Sequence, residues 1–403
     1  MHQRLLRVFG RRGSLLRPGV LLGVVALAGC GDSGTGASGG SGGQGGQGGA
    51  GAGVPLVEVD GCEGTTLFEA PADTGEPGPW KVGARTLTLG DLVVEAWYPA
   101  APGSSGEVVK YDVRDYLPES EMGKIADADA PLQTCACERD LPVDADRGPY
   151  PVIVFVHGTA GFRSQSLEIT AHWASRGFVV LAADHPGLYL TDLLAMFCGG
   201  TPGERDLDAD LAMIVDAVNT GVGLGDLADV VDASRIGMSG HSAGGGAIEA
   251  QGDVASVLVP MAAGGFEMGS TLQSGLVLGG VEDTVVDYEN QVMGYEAAPS
   301  PKRLAGISPA GHLVFSSLCH IENDAGEDLV SVAQEAGVCG LSLAGALFDC
   351  SESYVSKDLG HRIVNDVSTA VFEETLHCNA DRTAWITGLP GRFPEVSELR
   401  EEL

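Results

Sequence analysis

The stretch Ile236-Gly237-Met238-Ser239-Gly240-His241-Ser242-Ala243-Gly244-Gly245-Gly246 restricts this chain's fold more than any other. A short apolar run ends at Gly240, and Ser242 follows with glycines two positions to either side. In the pattern G-x-S-x-G a serine occupies a strained turn between a strand and a helix. A side chain at either glycine would meet the neighbouring strand or the following helix, so only glycine lets the turn tighten until the hydroxyl projects. Ser242 would then stand at a helix N-terminus, where unpaired N–H groups and the macrodipole favour the negative charge that develops when a nucleophile attacks a carbonyl. Alone, the same residues also read as a glycine-rich βα turn with an incidental serine; the rest of the chain decides.

Eight apolar runs bounded by glycine, proline or polar turns predict strands at Arg85 to Leu89, Leu92 to Tyr98, Val152 to Val156, Phe178 to Ala182, Arg235 to Ser239, Val257 to Pro260, Gly275 to Gly279 and Lys302 to Ile307. The first two pair as a hairpin around Gly90-Asp91. From the third onward, continuous apolar runs alternate with helix-length stretches such as Ser166 to Arg176 and Arg205 to Val218. Parallel strands covered on both faces require that alternation, so the fold class is α/β with a mostly parallel, eight-stranded sheet and helices on both faces. Such sheets bind ligands at the carboxyl ends of their strands.

Three residues able to do chemistry lie at those ends. Ser242 follows the fifth strand, Asp283 the seventh, and His312 the eighth through Ser308-Pro309-Ala310-Gly311. The order serine, acid, histidine, each after a separate strand, predicts a catalytic triad. A serine hydroxyl is a poor nucleophile until an imidazole takes its proton, and the imidazolium is stabilised by a carboxylate that holds the ring. The tetrahedral intermediate needs N–H donors: Ala243 supplies one, and Thr159, in Val156-His157-Gly158-Thr159 after the third strand, a second. His157 competes as a base, but its place beside the strand suits a structural hydrogen bond better.

With these residues the sequence resembles an α/β-hydrolase, near the dienelactone hydrolase-like, platelet-activating-factor acetylhydrolase and cutinase-like polyester hydrolase branches. The matching residues are Tyr150 to Gly158, Ser175 to Val180, Gly240 to Gly246, Asp283-Thr284-Val285 and Gly311-His312. The resemblance implies a serine esterase with no cofactor and no metal, acting on an ester that is a small molecule, a lipid or a polyester. Cutinase-like enzymes often carry a tryptophan after the sixth strand; Ala262-Ala263-Gly264-Gly265-Phe266 has none, which counts against an aromatic polyester. Insertions at about 101–149 and 318–357 depart from the family, and Leu188 to Phe197 is an apolar stretch readable as a gate or as core. An amide substrate, or a non-catalytic surface protein on the same fold, are the alternatives.

Residues 1–29 hold five arginines and no acid, then a short apolar run, which reads as an export signal rather than a span. The run ends in Leu27-Ala28-Gly29-Cys30, which resembles a bacterial lipobox and implies a lipidated Cys30, hence a membrane contact through that anchor and a place in the cell envelope. Residues 31–53 contain 13 glycines, too little apolar surface to fold, so 30–54 is a tether spanning about 25 to 30 Å. Residues 55–403 form the catalytic domain. Beyond the signal, 18 basic residues face 55 acidic ones, which excludes nucleic acid as a natural partner. Eight cysteines besides Cys30 predict disulfides with connectivity left open. At least two of Cys319, Cys339 and Cys350 should be oxidised, to each other or to Cys198 or Cys378. Cys135-Ala136-Cys137 has the wrong spacing for a zinc knuckle.

Overall fold

A computed structural model of the protein describes residues 56–58, 62 and 66–403. The expected signal, Cys30 and tether lie outside the described residues. Leu56–Glu58 pairs antiparallel with Thr66–Phe68, and the remaining strands form one sheet. They are β1 (Val82–Leu89), β2 (Leu92–Pro99), β3 (Val108–Asp112), β4 (Leu132–Arg139), β5 (Tyr150–Val156), β6 (Val179–Ala183), β7 (Val231–His241), β8 (Val257–Met261), β9 (Ser274–Gly280), β10 (Lys302–Ile307) and β11 (Val396–Glu402). Their order across the sheet is β11-β10-β9-β8-β7-β5-β6-β2-β1-β4-β3. The six central strands, β10 to β6, run parallel.

The sheet has 11 strands rather than the eight expected. All eight predicted strands are present, and the hairpin turns at Gly90 and Asp91 as the sequence suggested. The other three escaped a search for apolar runs for a physical reason. Along β4 buried and exposed residues alternate, but the inward positions are Gln133, Cys135 and Cys137. β3 buries only Val109 and Tyr111. β11 is a charged edge strand paired to β10, where Glu401 bonds the buried Arg303. Charge on an edge strand is a common guard against unwanted pairing, and it erases the apolar signature.

Why the central strands read as continuous apolar runs is visible in β5. Ile153 and Phe155 face one layer with α1 (Leu167–Ser175) and α7 (Lys357–Leu376), while Val152, Val154 and Val156 face the other with α3 (Leu207–Thr220) and α5 (Tyr288–Ala297). Helix α3 starts at Asp206, whose carboxylate accepts the Ala209 N–H, and stops at Gly221 in the left-handed region. Helix α7 starts at Ser356, which caps Leu359, and contributes Ile363, Val367, Val371 and Phe372 to the core. Truncating a side chain as buried as Phe372 would cost about 3 to 5 kcal/mol. Among the described residues no helix is long and apolar enough to cross a membrane.

Both insertions and the stretch after β6 converge above the carboxyl ends of the strands. Val113, Tyr116, Phe162, Leu313, Leu318 and Ile321 form one small apolar cluster, and Leu117, Ile125, Leu194, Val332, Ala333 and Val338 another. Four disulfides reinforce the periphery: Cys62–Cys378, Cys135–Cys137, Cys198–Cys339 and Cys319–Cys350. Cys319, Cys339 and Cys350 are thus all oxidised. The 318–357 segment nevertheless has an apolar cluster of its own and does not rely on cross-links alone.

Candidate active site

Ser242 ends β7 with φ 54° and ψ −119°, a conformation that costs a non-glycine residue about 1 to 3 kcal/mol and persists only where its surroundings enforce it. The enforcement is steric and local. A Cβ on Gly240 would collide with the Gly244 carbonyl, and a Cβ on Gly244 with the carbonyls of Val156 and His157, so the turn closes only with glycine at both. The Ser242 N–H is taken by the Met261 carbonyl at 2.8 Å. The following helix, α4 (Ala243–Ala247), is only 5 residues long. Its macrodipole is correspondingly slight, so charge stabilisation here depends on individual N–H groups rather than on the long helix the sequence suggested.

Asp283 and His312 meet behind the serine. His312 Nδ1 lies 2.8 Å from Asp283 Oδ2, and both side chains are buried. Asp283 Oδ1 accepts the N–H groups of Val285 and Val286, each at 2.8 Å, and Oδ2 also accepts Gln291 Nε2 at 3.2 Å. A carboxylate with every acceptor site used cannot swing away from the ring. Glu282, the neighbouring acid, is committed elsewhere: it accepts the Ala310 N–H at 2.8 Å and the Ser308 hydroxyl at 2.7 Å. Ser242 and His312 line the same cavity. Among the described residues the Ser242 hydroxyl has no hydrogen-bond partner, a common state for a catalytic hydroxyl before substrate arrives.

Thr159 lines this cavity as well, and among the described residues neither its backbone N–H nor that of Ala243 has a partner. The loop is steadied on both sides, by Ala160 N–H to the Leu188 carbonyl at 2.9 Å and by Gly158 N–H to Gln165 Oε1 at 3.1 Å. His157 is fully buried, with Nδ1 on the Gly158 carbonyl at 2.8 Å and Nε2 accepting the His185 N–H at 3.2 Å. Burial pushes its pKa down to about 3. With both ring nitrogens occupied it has no lone pair free for a proton from Ser242.

Two residues the sequence gave no reason to select tie these loops together. His241, between the motif glycine and the serine, directs Nε2 at the His312 carbonyl at 3.0 Å, which requires Nε2–H to donate. Its Nδ1 then accepts from Gln165 Nε2 at 3.0 Å. Burial, with His312 close by, holds His241 far below the usual imidazole range and keeps it neutral, as that pattern needs. Gly158, Gln165, His241 and His312 so form one chain of hydrogen bonds from the Thr159 loop to the histidine loop. Any histidine fits the variable position of the motif, and Gln165 belongs to no pattern, so neither carried a signal.

The cavity has a volume of about 920 Å³. Beyond Ser242 its walls are mostly aliphatic, with Val113, Leu117 and Ile125 from the first insertion and Leu313, Val338 and Phe348 from the second side. The stretch left open as gate or core is α2 (Leu190–Cys198), a wall helix: Leu190 and Leu194 face the cavity while Met196 and Phe197 are exposed. Phe266, at the place of the absent tryptophan, is buried in the core beneath Gly275 and does not line the cavity. Among the described residues one group has metal-ligand spacing, Glu121 with Cys198 and Cys339. Its two sulfurs are bonded to each other, and Glu121 is already paired with Lys124 at 2.7 Å and the Cys339 N–H at 2.8 Å, so these donors do not suit an ion.

Residues 119–187 match the family model of platelet-activating factor acetylhydrolase, isoform II. The matched segment runs through β4, β5, the Thr159 loop, α1 and β6, and stops before Ser242. No curated protein matches the chain.

Proposed function

We propose that this chain is a serine esterase that cleaves carboxylic esters through an acyl-enzyme. The observation that carries the reading is the 2.8 Å bond between His312 and Asp283 at a cavity into which Ser242 is forced by a strained, glycine-flanked turn. The family match supports a lipase- or esterase-type hydrolase in general terms. Ser242 Oγ attacks the ester carbonyl while His312 Nε2 takes its proton, and Asp283 stabilises the imidazolium through Nδ1–H. The N–H groups of Thr159 and Ala243 receive the oxyanion, and such donors are worth about 3 to 4 kcal/mol each in the transition state. His312 returns the proton to the departing alcohol; water, activated by the same imidazole, then releases the acid. The aliphatic walls suit an apolar acyl chain, of a lipid or of an aliphatic polyester. Cys30 would hold the enzyme at a bacterial membrane by its lipid. A fluorophosphonate probe should label Ser242 and p-nitrophenyl esters should be hydrolysed, both lost in Ser242→Ala. Labelling at another residue, or full activity in that variant, rejects the assignment.

A further inference from the structure

A second carboxylate reaches His312 through its backbone. Asp349 Oδ2 accepts the His312 N–H at 2.9 Å and the Thr284 N–H at 3.1 Å, so one oxygen joins the loop of the base to the loop of the acid. Its other oxygen accepts the Tyr354 hydroxyl at 2.9 Å. Partial burial works against the charge, but the two backbone donors and Tyr354 outweigh it and hold the Asp349 carboxyl below the usual carboxylate range. The close approach has a steric requirement: a Cβ on Gly311 would run into the Tyr354 ring and Asp349 Oδ2. Asp349 precedes Cys350, whose disulfide to Cys319 returns the chain to the segment that begins at His312.

We propose that Asp349 is a positioning residue that sets the separation of Asp283 and His312, carried into place by the Cys319–Cys350 cross-link. The proposal rests on the triad reading above. Asp283 follows β9 and His312 follows β10, and between strand end and side chain each loop has freedom that the sheet does not remove. Asp349 bridges the two loops within one residue of Asp283 and at His312 itself, opposite the clamp that Glu282 makes on Ser308 and Ala310. The 318–357 insertion would then belong to the catalytic apparatus as well as to the pocket wall.

The test compares wild type, Ser242→Ala, Asp349→Ala and Asp349→Asn on one p-nitrophenyl ester, with melting temperature and the downfield proton resonance of His312 Nδ1–H. Asp349→Ala should lower kcat by about 10- to 100-fold, the scale of an ångström of misplacement, and leave KM within about twofold. Its downfield resonance should broaden or vanish. Asp349→Asn keeps an oxygen that accepts both N–H groups, so kcat should stay within about threefold. A folded Asp349→Ala with wild-type kcat or an unchanged resonance overturns the proposal, as does Asp349→Asn losing as much as alanine. Should Asp349→Ala not fold, the Cys319→Ser/Cys350→Ser variant keeps the carboxylate but unties its segment. It should lose about 10-fold in kcat with the same broadening, and wild-type behaviour there overturns the proposal. Activity that survives Ser242→Ala rejects the triad reading and this proposal with it; Ser242-dependent activity indifferent to Asp349 rejects this proposal alone.

Discussion

Replacing Asp283 by asparagine separates holding the ring from holding it in the correct tautomer. Oδ1 accepts two backbone N–H groups, from Val285 and Val286, so the new amide must keep its oxygen there. Its NH2 then faces His312 Nδ1 and Gln291. Gln291 adapts by rotating its own amide, because its Oε1 is buried without a partner and can accept. His312 adapts only by giving up the Nδ1 proton, which leaves Nε2 protonated toward Ser242 as a donor instead of a base. The expected loss in kcat is about 10,000-fold, equivalent to about 5.4 kcal/mol of transition-state stabilisation. Folding should be nearly unaffected, since no buried donor is orphaned. Asp283→Ala, by contrast, strands the Val285 and Val286 N–H groups at about 1 to 3 kcal/mol each and should lower the melting temperature visibly. Ester turnover near pH 8 with melting curves measures both. An Asp283→Asn enzyme within about tenfold of wild type would refute the tautomer argument, as the first-order effect of a misprotonated base is far larger.

Acid stability should follow the buried histidines. Burial pushes His157, His172 and His377 down to about 3, 4 and 3, so they are neutral in the fold but take protons near pH 6.5 when unfolded. The stability present above that value is therefore lost as pH falls toward the folded values, at about 1.4 kcal/mol per pH unit for each histidine. Urea midpoints between pH 7 and 4.5 should fall steeply, and His377→Gln should flatten the slope by about one proton; an unchanged slope counts against burial as the cause. On an ester ladder, kcat/KM should climb with acyl length by at most about fourfold per methylene, the worth of a buried CH2. Leu194→Trp, at the wall, should cut off the longer chains, and a flat ladder would show that the acyl group does not enter this cavity. Cys30→Ala, expressed in a bacterial host, should move the protein from the membrane to the soluble fraction; equal partitioning would count against the lipid.

Legibility of the molecule followed the range of the interaction. The turn at Ser242 is specified by residues within four positions, and the glycines there are needed for clashes with carbonyls close in sequence or on the adjacent strand, so the motif could be read directly. The central strands and the order of Ser242, Asp283 and His312 were legible because burial on both faces imposes continuous apolar runs, and the residues that follow those runs lie at one edge of the sheet. Strands β3, β4 and β11 were not. Their inward residues are few, polar or charged, and pairing partners rather than hydrophobicity make them strands.

The ties that hold the site depend still more on tertiary structure. Gln165 meets His241 only because β5 and β7 are paired, and Asp349 meets Thr284 and His312 only because a disulfide-closed segment folds back over two strand ends. Single polar residues have no periodicity, and a hydrogen bond across 30 to 80 positions leaves no trace in local composition. By itself the sequence determined a parallel sheet and the residue types gathered at its carboxyl edge, since both follow from burial and backbone sterics over short spans. Which polar groups bridge those loops, and which apolar segments enclose the cavity, was decided only when the strands had paired and brought distant side chains within a bond's length.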